Sequence, residues 1–376
     1  MNGIYIHIPF CKKVCYYCDF HFTVSLKWKD RLIDSLIREI EIRKDYLDVN
    51  TIDTIYFGGG TPSILTQNEI DRILNQINRY FTISQHAEIT LEANPDDLTP
   101  SYLKKLERLG FNRLSIGVQS FIDADLKWMN RRHNANQAEN CIRMSQDAGF
   151  TNLNLDLIYG LPGLSMDGWK QNLEKFISLD IPHLSAYHLT IEPKTVFGHF
   201  KKKGLLREIN EQDSIGHYNI LLEKMKQEGY EHYEISNFCK NNKYSQHNTL
   251  YWKQGKYIGF GPSAHSFNGH SRQWNISVNN AYCDAIDSGK NYFETEQLST
   301  AERFNDYLLT GLRTTWGIDK SIIAGYFGEL MLIYFEKELK KFYGSGFIIE
   351  NGTNVSLTDA GMFVSNKIIS DLFIVD

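Results

Sequence analysis

A regular alternation of β-rich runs with amphipathic helical patterns is the feature that most constrains the fold of this chain. Six β-rich runs lie at residues 4–8, 54–57, 88–92, 113–118, 152–158 and 184–189. The segments between them carry apolar residues at helical spacing, as in Ile70, Ile73, Leu74 and Ile77. Repeated βα units predict parallel strands joined by right-handed crossovers, and hence an α/β protein. The pattern alone allows either a doubly wound sheet or a barrel-like sheet.

Polar residues and glycines at the carboxyl ends of these strands favour the barrel-like sheet. In a (β/α) barrel all strand ends share one mouth, so side chains distant in sequence meet around one ligand. We therefore expect the active site at this mouth. The residues concerned are the cysteine loop after the first run, Gly58 to Pro62, Glu92 and Asn94, Gln119, Asp156, and Tyr187 with His188.

Three of the six cysteines, Cys11, Cys15 and Cys18, fall within eight residues in a C-x3-C-x2-C pattern. The pattern supplies three thiolates and no fourth, because Phe20 occupies the position where a fourth nearby cysteine could follow. A [4Fe-4S] cluster held here would keep one iron free of cysteine. A structural zinc site is the alternative, with His7 or His21 as its fourth ligand. The remaining cysteines are scattered singly, as is typical of reduced thiols in a cytosolic protein.

The segment Gly58-Gly59-Gly60-Thr61 follows the second strand. It is neither a Walker A loop nor a dinucleotide-binding pattern, because neither set of flanking residues is present. Consecutive glycines let a ligand approach the backbone closely, which suits an amino-acid group carrying an ammonium and a carboxylate. A simple glycine turn into a helix is the other interpretation.

Composition and charge exclude several classes of function. The 376 residues are long enough for one large domain and a smaller one, and the net charge of −5 gives no electrostatic reason to expect a nucleic-acid partner. No stretch approaches the roughly 18 consecutive apolar residues of a membrane span. A cytoplasmic location is expected.

Five motifs occur in order: Tyr5-x-His7-Ile8-Pro9-Phe10-Cys11-x3-Cys15-x-Tyr17-Cys18, Gly58-Gly59-Gly60-Thr61-Pro62, Leu91-Glu92-Ala93-Asn94-Pro95, Gly117-Val118-Gln119-Ser120-Phe121 and Asp156-Leu157-Ile158-Tyr159-Gly160-Leu161-Pro162. Together they resemble the radical S-adenosylmethionine (SAM) superfamily, in the branch of the oxygen-independent coproporphyrinogen III dehydrogenases. The resemblance implies a partial (β/α)6, TIM-like barrel. It also implies a [4Fe-4S] cluster on the three cysteines, with SAM bound to the fourth iron through its amino and carboxylate groups.

The resemblance further implies roles for individual residues around SAM. Glu92 suits an ammonium, Arg131 a carboxylate and Asp156 ribose hydroxyls. Arg132 is an alternative to Arg131, and Gln119 and Asp156 could instead be interior polar residues of the barrel. The residues that the resemblance places around SAM are Tyr5, Tyr17, Gly59, Gly60, Thr61, Glu92, Gln119, Arg131 and Asp156.

Two departures from the dehydrogenases point to a sister group. The dehydrogenases carry a fourth cysteine where this chain has Phe20, and they have a longer segment ahead of the cluster, which puts decarboxylase activity in doubt. Gln246 is followed by His247-Asn248-Thr249-Leu250-Tyr251-Trp252, an H-N-x-x-Y-W pattern that resembles the signature of the HemW-type heme chaperones. The resemblance implies that His247 binds heme, with Tyr251 and Trp252 offering flat faces to the macrocycle. His265 is a weaker candidate, beside a glycine-rich segment that predicts a tight turn.

The sequence predicts three regions: a radical SAM partial barrel over residues 1–230, a connecting region over 231–298 with the H-N-x-x-Y-W motif, and a smaller domain over 299–376. In the last region helical patterns at 302–313 and 330–342 precede a hairpin over 346–357 centred on Asn351-Gly352. Helices followed by a hairpin predict a mainly helical, winged-helix-like domain.

The leading functional hypothesis is a heme chaperone that binds a [4Fe-4S] cluster, SAM and heme and passes heme to an acceptor protein. The acceptor could be membrane-associated, and an electron donor is an expected partner. The alternative is an oxygen-independent coproporphyrinogen III oxidase that cleaves SAM and decarboxylates porphyrinogen propionates. A radical enzyme acting on an unrelated substrate is a third interpretation.

Overall fold

The computed structural model describes residues 1–49 and 51–375. All six predicted strands are present, pair in parallel, and lie side by side in chain order, which confirms the α/β expectation. Their interior residues, such as Ile4, Phe57 and Leu155, are fully buried. The strands are β1 (Asn2–Ile8), β2 (Thr51–Gly59), β3 (Thr82–Ala93), β4 (Arg113–Gln119), β5 (Leu153–Tyr159) and β6 (His183–His188).

Helices connect these strands and cover the sheet with their apolar faces. In the helix after β2, Ile70, Ile73 and Ile77 are fully buried, as their spacing predicts. The same helix starts at a capping box between Thr66 and Glu69, which satisfies its first N–H groups. The helices are α1 (Lys29–Ile42), α2 (Gln67–Tyr80), α3 (Pro100–Arg108), α4 (Asp123–Trp128), α5 (Ala135–Asp147), α6 (Met166–Ser178), α7 (Val196–Lys202) and α8 (Glu211–Gln227).

Residues 231–298 extend the same sheet at both edges. Beyond β6, two antiparallel strands are added, and beyond β1 the chain adds one parallel strand followed by three antiparallel ones. Over the described residues the sheet is open, with β7 and β12 as its edges, as expected of a partial barrel. The elements are β7 (Glu231–Glu234), β8 (Asn237–Cys239), α9 (Gln246–Trp252), β9 (Lys256–Phe260), β10 (His265–Phe267), β11 (Ser271–Asn275), α10 (Asn279–Ser288) and β12 (Phe293–Gln297).

The C-terminal part has a hydrophobic core of its own, which includes Phe304, Phe335 and Leu372. The predicted hairpin is confirmed: two strands pair around Asn351-Gly352 within a small three-stranded sheet. The division of the chain at residues 230 and 298 stays a prediction. The elements are α11 (Thr300–Gly311), β13 (Ile318–Asp319), α12 (Lys320–Ile322), α13 (Glu329–Leu339), β14 (Ile348–Asn351), β15 (Asn354–Leu357), α14 (Asp359–Phe363) and α15 (Ser365–Leu372).

Candidate functional site

A cavity of about 440 Å³ opens at the carboxyl ends of β1–β6, where the sequence predicts the active site. We term it the cysteine cavity. It brings together residues from the first cysteine loop to the end of β6, although they are far apart in the chain. The predicted cluster and SAM residues that line it are Cys11, Cys15, Tyr17, Cys18, Gly59, Gly60, Thr61, Glu92, Gln119, Arg131 and Asp156. Tyr5 lies outside this lining.

The three cysteines sit on the loop after β1, half-buried and unlinked by disulfides. Cys11 Sγ accepts a hydrogen bond from Thr61 Oγ1 (3.4 Å), and Cys15 Sγ accepts one from Arg131 Nη1 (3.3 Å). Burial raises the pKa of the Cys11 thiol, and that of Cys18 to about 12, so without a metal these two thiols are protonated at neutral pH. Ligation to a metal reverses this, because a coordinated thiol is deprotonated.

The spacing of these thiols does not fit one compact metal ion. Among the described residues, no three His, Cys, Asp or Glu side chains are close enough together to bind a single ion, so the zinc alternative finds no assembled site. A cubane cluster takes each thiolate at a different iron, and all three thiols line the same cavity. The donor set therefore fits the larger cluster.

The glycine segment begins in the last two residues of β2, Gly58 and Gly59, which pair with His7 and Ile8 of β1. Gly59 has φ +106°, and a Cβ there would lie 2.6 Å from His7 Cε1, while a Cβ on Gly60 would lie 2.8 Å from the Phe10 carbonyl oxygen. Packing behind the loop therefore already requires glycine. The N–H groups of Gly59, Gly60 and Thr61 donate to Glu92, Ile8 and Phe10 respectively. A ligand at this loop therefore finds these N–H groups already engaged within the protein.

Glu92 and Asp156 are two of the acidic side chains that line the cysteine cavity. Glu92 accepts hydrogen bonds from Tyr56 Oη (2.7 Å) and Gly59 N (3.2 Å), and Asp156 accepts one from Asn154 Nδ2 (2.8 Å). Neither forms an ion pair with a Lys or Arg of the described chain. Burial raises the pKa of Glu92 to about 7 and that of Asp156 to about 6. Such carboxyl groups favour a cationic or hydroxyl-bearing ligand.

The two neighbouring arginines, Arg131 and Arg132, differ in their contacts. Arg131 lines the cavity and donates to Asn94 Oδ1 (2.5 Å) and the Gly117 carbonyl (2.6 Å), whereas Arg132 pairs with Asp96 and Asp97. Arg131 Nε is buried and finds no acceptor in the described protein, so it can still donate to a ligand.

Gln119 ends β4 in a strained conformation. Its φ is +69°, a left-handed value that a non-glycine residue adopts only at a cost. The β4–β5 register shifts just before it, and this turns the end of the strand towards the cavity. The sequence gives no signal for this backbone feature.

Beside the cysteine cavity lies a second cavity of about 540 Å³, which the sequence did not predict. We term it the aromatic cavity. Strands β1 and β9–β11, helix α9, the end of the cysteine loop and helix α11 enclose it. Its lining includes Tyr5, His7, Phe20, His21, Tyr251, Tyr257, His265, Phe267, Arg272, Asp306, Leu309 and Thr310.

The two cavities share a thin wall. Phe20 lines both of them. His7 lines the aromatic cavity, and its ring packs directly behind Gly59, which lines the cysteine cavity. His7 is fixed there by hydrogen bonds to Tyr5 Oη (3.1 Å) and the His21 carbonyl (3.3 Å). Ligands in the two cavities would therefore be close neighbours.

His247 lies within the protein, behind the aromatic cavity. It is 1% exposed, with one hydrogen bond between Nδ1 and Thr54 Oγ1 (2.8 Å) and another between Nε2 and Tyr251 Oη (2.7 Å). Its ring stacks on Tyr56 at 5.0 Å, and burial lowers its pKa to about 3. Both ring nitrogens are already engaged. Heme ligation by His247 stays a prediction, and it would require the Tyr251 hydrogen bond to open.

A partial parallel barrel whose first loop carries three cysteines facing a shared cavity defines a protein of the radical SAM class. The family model described as Radical SAM superfamily matches residues 5–176, and that of the HemN C-terminal domain matches residues 298–364. Within this class, the chain belongs to the family of the HemW heme chaperones. It is 35% identical over 371 residues to the heme chaperone HemW of Bacillus subtilis (strain 168), covering 98% of each chain.

Further relatives give the same result. The chain is 33% identical over 380 residues to the heme chaperone HemW of Lactococcus lactis, covering all of this chain and 98% of the relative. The fold is similar to that of coproporphyrinogen III oxidase (HemN) from Escherichia coli, with a TM-score of 0.87 at 23% identity over 99% of this chain and 90% of that one.

Within residues 1–49 and 51–375, none of the helices has the length and apolar character that crossing a bilayer requires.

Proposed function

We propose that this protein is a heme chaperone, which binds heme and passes it to an acceptor protein. The observation that carries the proposal is the end-to-end similarity to the heme chaperone HemW of Bacillus subtilis, which leaves neither cavity outside the match. The geometry supports it, because an aromatic cavity of about 540 Å³ is within the size range of small-molecule sites. Its rings suit a flat apolar macrocycle.

The cysteine cavity is the proposed site of the [4Fe-4S] cluster and SAM. Cys11, Cys15 and Cys18 would hold three irons, and the fourth iron would be left to the amino and carboxylate groups of SAM. Glu92 and the backbone oxygens of the glycine segment favour the ammonium, and Arg131 Nε favours the carboxylate.

The roles of the remaining residues around SAM are proposed in the same way. Asp156 would accept hydrogen bonds from ribose hydroxyls, while Gln119 and Thr61 would complete the wall. Tyr17 would flank the cluster. Tyr5 differs from these residues in its position, because it lines the aromatic cavity and not the cysteine cavity. We therefore propose that it contacts heme rather than SAM.

Heme, an acceptor protein and an electron donor are the proposed partners, and the proposed location is the cytoplasm. The acceptor is expected to receive heme without SAM being consumed, so that SAM and the cluster license transfer. Rapid, stoichiometric formation of 5′-deoxyadenosine during heme transfer would contradict this expectation. Anaerobic decarboxylation of coproporphyrinogen III would instead establish the enzymatic alternative.

The experiment that tests the proposal is an anaerobic heme titration of the reconstituted protein, followed by its absorption spectrum. A second step mixes the heme-loaded protein with an apo-hemoprotein and monitors heme transfer. We expect saturable, stoichiometric binding and transfer faster than from free heme. His247→Ala is measured in parallel, and weaker binding is expected from it. Absence of specific heme binding by the wild-type protein would refute the proposed function.

A further inference from the structure

The aromatic cavity offers four histidines in or beside its wall, and they differ in whether a ring nitrogen is available. Both nitrogens of His7 and both of His247 are engaged in hydrogen bonds inside the protein. His21 uses Nε2 to bond Asn279 Oδ1 (2.9 Å). The ring of His265 forms no hydrogen bond with any described residue. Only His265 therefore presents its whole imidazole edge to a ligand.

Several contacts fix the direction of the His265 side chain. The residue begins β10 and lies opposite Trp274 of β11, and the two rings stack with centroids 6.3 Å apart. The turn before it is held by Ser263, whose φ is +63° and whose N–H donates to the Ile276 carbonyl. A side chain on a rigid, paired strand is well placed to bind a ligand in a defined geometry. His265 lines the aromatic cavity, and its side chain is partly buried there and partly exposed.

The surroundings also keep this imidazole neutral. Burial, and secondly the nearby Arg272 cation, lower the pKa of His265. A neutral imidazole has the lone pair that a metal requires. Arg272 itself is held at the cavity by ion pairs with Asp306 and Glu296.

Because this step rests on the proposed function, it concerns the position of the heme rather than its identity. We infer that heme binds in the aromatic cavity with His265 as an axial ligand of its iron, and that His247 is a positioning residue. His247 holds Tyr251 through the Nε2 to Oη hydrogen bond, and the Tyr251 ring forms part of the cavity wall. The H-N-x-x-Y-W motif then shapes the heme site without supplying the iron ligand.

The test is an anaerobic heme titration of the cluster-loaded, full-length protein with three single variants. His265→Ala should weaken heme binding by about tenfold or more, since loss of even an outer-shell partner commonly costs that much. It should also change the axial-ligand bands of the spectrum, and added imidazole should restore them. His270→Ala is the matched control, because His270 is an exposed histidine of the same hairpin that does not line the cavity. His247→Ala should weaken binding but keep the histidine-ligand spectrum, with no response to imidazole.

Two results would overturn the inference while leaving the proposed function intact. One is that the wild-type protein binds heme and His265→Ala binds it with the same affinity and the same spectrum. The other is loss of the axial-ligand bands in His247→Ala with recovery on adding imidazole, which would make His247 the ligand. Unchanged iron and sulfide content and far-ultraviolet circular dichroism identify variants that fold normally. If the wild-type protein binds no heme, the proposed function itself fails.

Discussion

Replacing Glu92 by Gln tests whether the cysteine cavity is built for a cationic ligand. The carboxylate has two hydrogen-bond donors but no ion pair within the described chain, and burial raises its pKa from 4.5 to about 7. The folded protein therefore keeps a proton that the unfolded chain releases near pH 4.5. As a result, the free energy of unfolding falls as the pH rises through this window. The loss is roughly 3 kcal/mol in total, of which about 1.4 kcal/mol falls above pH 6.

The measurement compares urea unfolding of the cluster-loaded wild-type and Glu92→Gln proteins, without SAM, at pH 6 and pH 8.5. Gln has the same shape but does not ionise, so the variant should lose about 1.4 kcal/mol less than the wild type over this range. Asp156 is present in both proteins, and its repulsion of the Glu92 carboxylate is part of the raised Glu92 pKa that the comparison measures. Equal pH dependence of the two proteins would refute the burial argument for Glu92.

The same substitution should weaken SAM binding while it stabilises the protein at alkaline pH. The affinity of the wild type for SAM should rise between pH 6 and pH 8, because Glu92 ionises and can pair with the ammonium. Glu92→Gln should bind SAM roughly 10- to 100-fold more weakly at pH 8, which corresponds to the loss of a charge-assisted hydrogen bond. Its affinity should also lose most of this pH dependence. Unchanged SAM affinity in the variant would remove Glu92 from the proposed SAM site.

Three further outcomes follow from the two cavities. Cys15→Ala should lower the iron and sulfide content after reconstitution. Cys141→Ala should not, because Cys141 is fully buried outside the cysteine cavity. Equal iron and sulfide content in the two variants would refute cluster ligation by Cys15. Gly59→Ala should destabilise the protein more than Gly163→Ala. Both glycines have positive φ, but only at position 59 would the added Cβ meet an imidazole, that of His7. Thermal melting compares the two variants, and equal melting temperatures would contradict the packing argument. Thr310→Phe should reduce heme affinity by filling the aromatic cavity while leaving SAM affinity unchanged, and a loss of both in parallel titrations would indicate general damage.

The parallel sheet and the cysteine cavity could be predicted because their signals are local. Each β-rich run, together with the apolar helix face after it, predicts one βα unit, and the polar residues at the strand ends favour the barrel-like order of the strands. The residues at the strand ends meet as a geometric consequence. The different contacts of Arg131 and Arg132 could not be predicted, because the ion pairs of Arg132 with Asp96 and Asp97 join residues that are distant in the sequence.

The aromatic cavity could not be predicted because it depends on pairing over long distances in the chain. Strand β9 lies beside β1 although about 250 residues separate them, and that pairing brings Tyr257 and His265 beside the cysteine loop. Nothing in the local sequence of β9–β11 identifies β1 as their neighbour. Burial of His247 is equally non-local, since its partner Thr54 lies on β2.

The position of His247 explains how one motif can affect both cavities. On one side, Tyr56 stacks on its ring and donates to Glu92 of the cysteine cavity; on the other, its Nε2 bonds Tyr251 of the aromatic cavity. A ligand that pairs with Glu92 therefore acts on Tyr56, and Tyr56 is in contact with His247, which holds Tyr251 in the wall of the aromatic cavity. Replacing such a residue perturbs heme binding even if it never touches iron. Weaker binding by His247→Ala is thus expected from either assignment, and only the spectrum and its response to imidazole distinguish the ligand from the residue that positions its cavity.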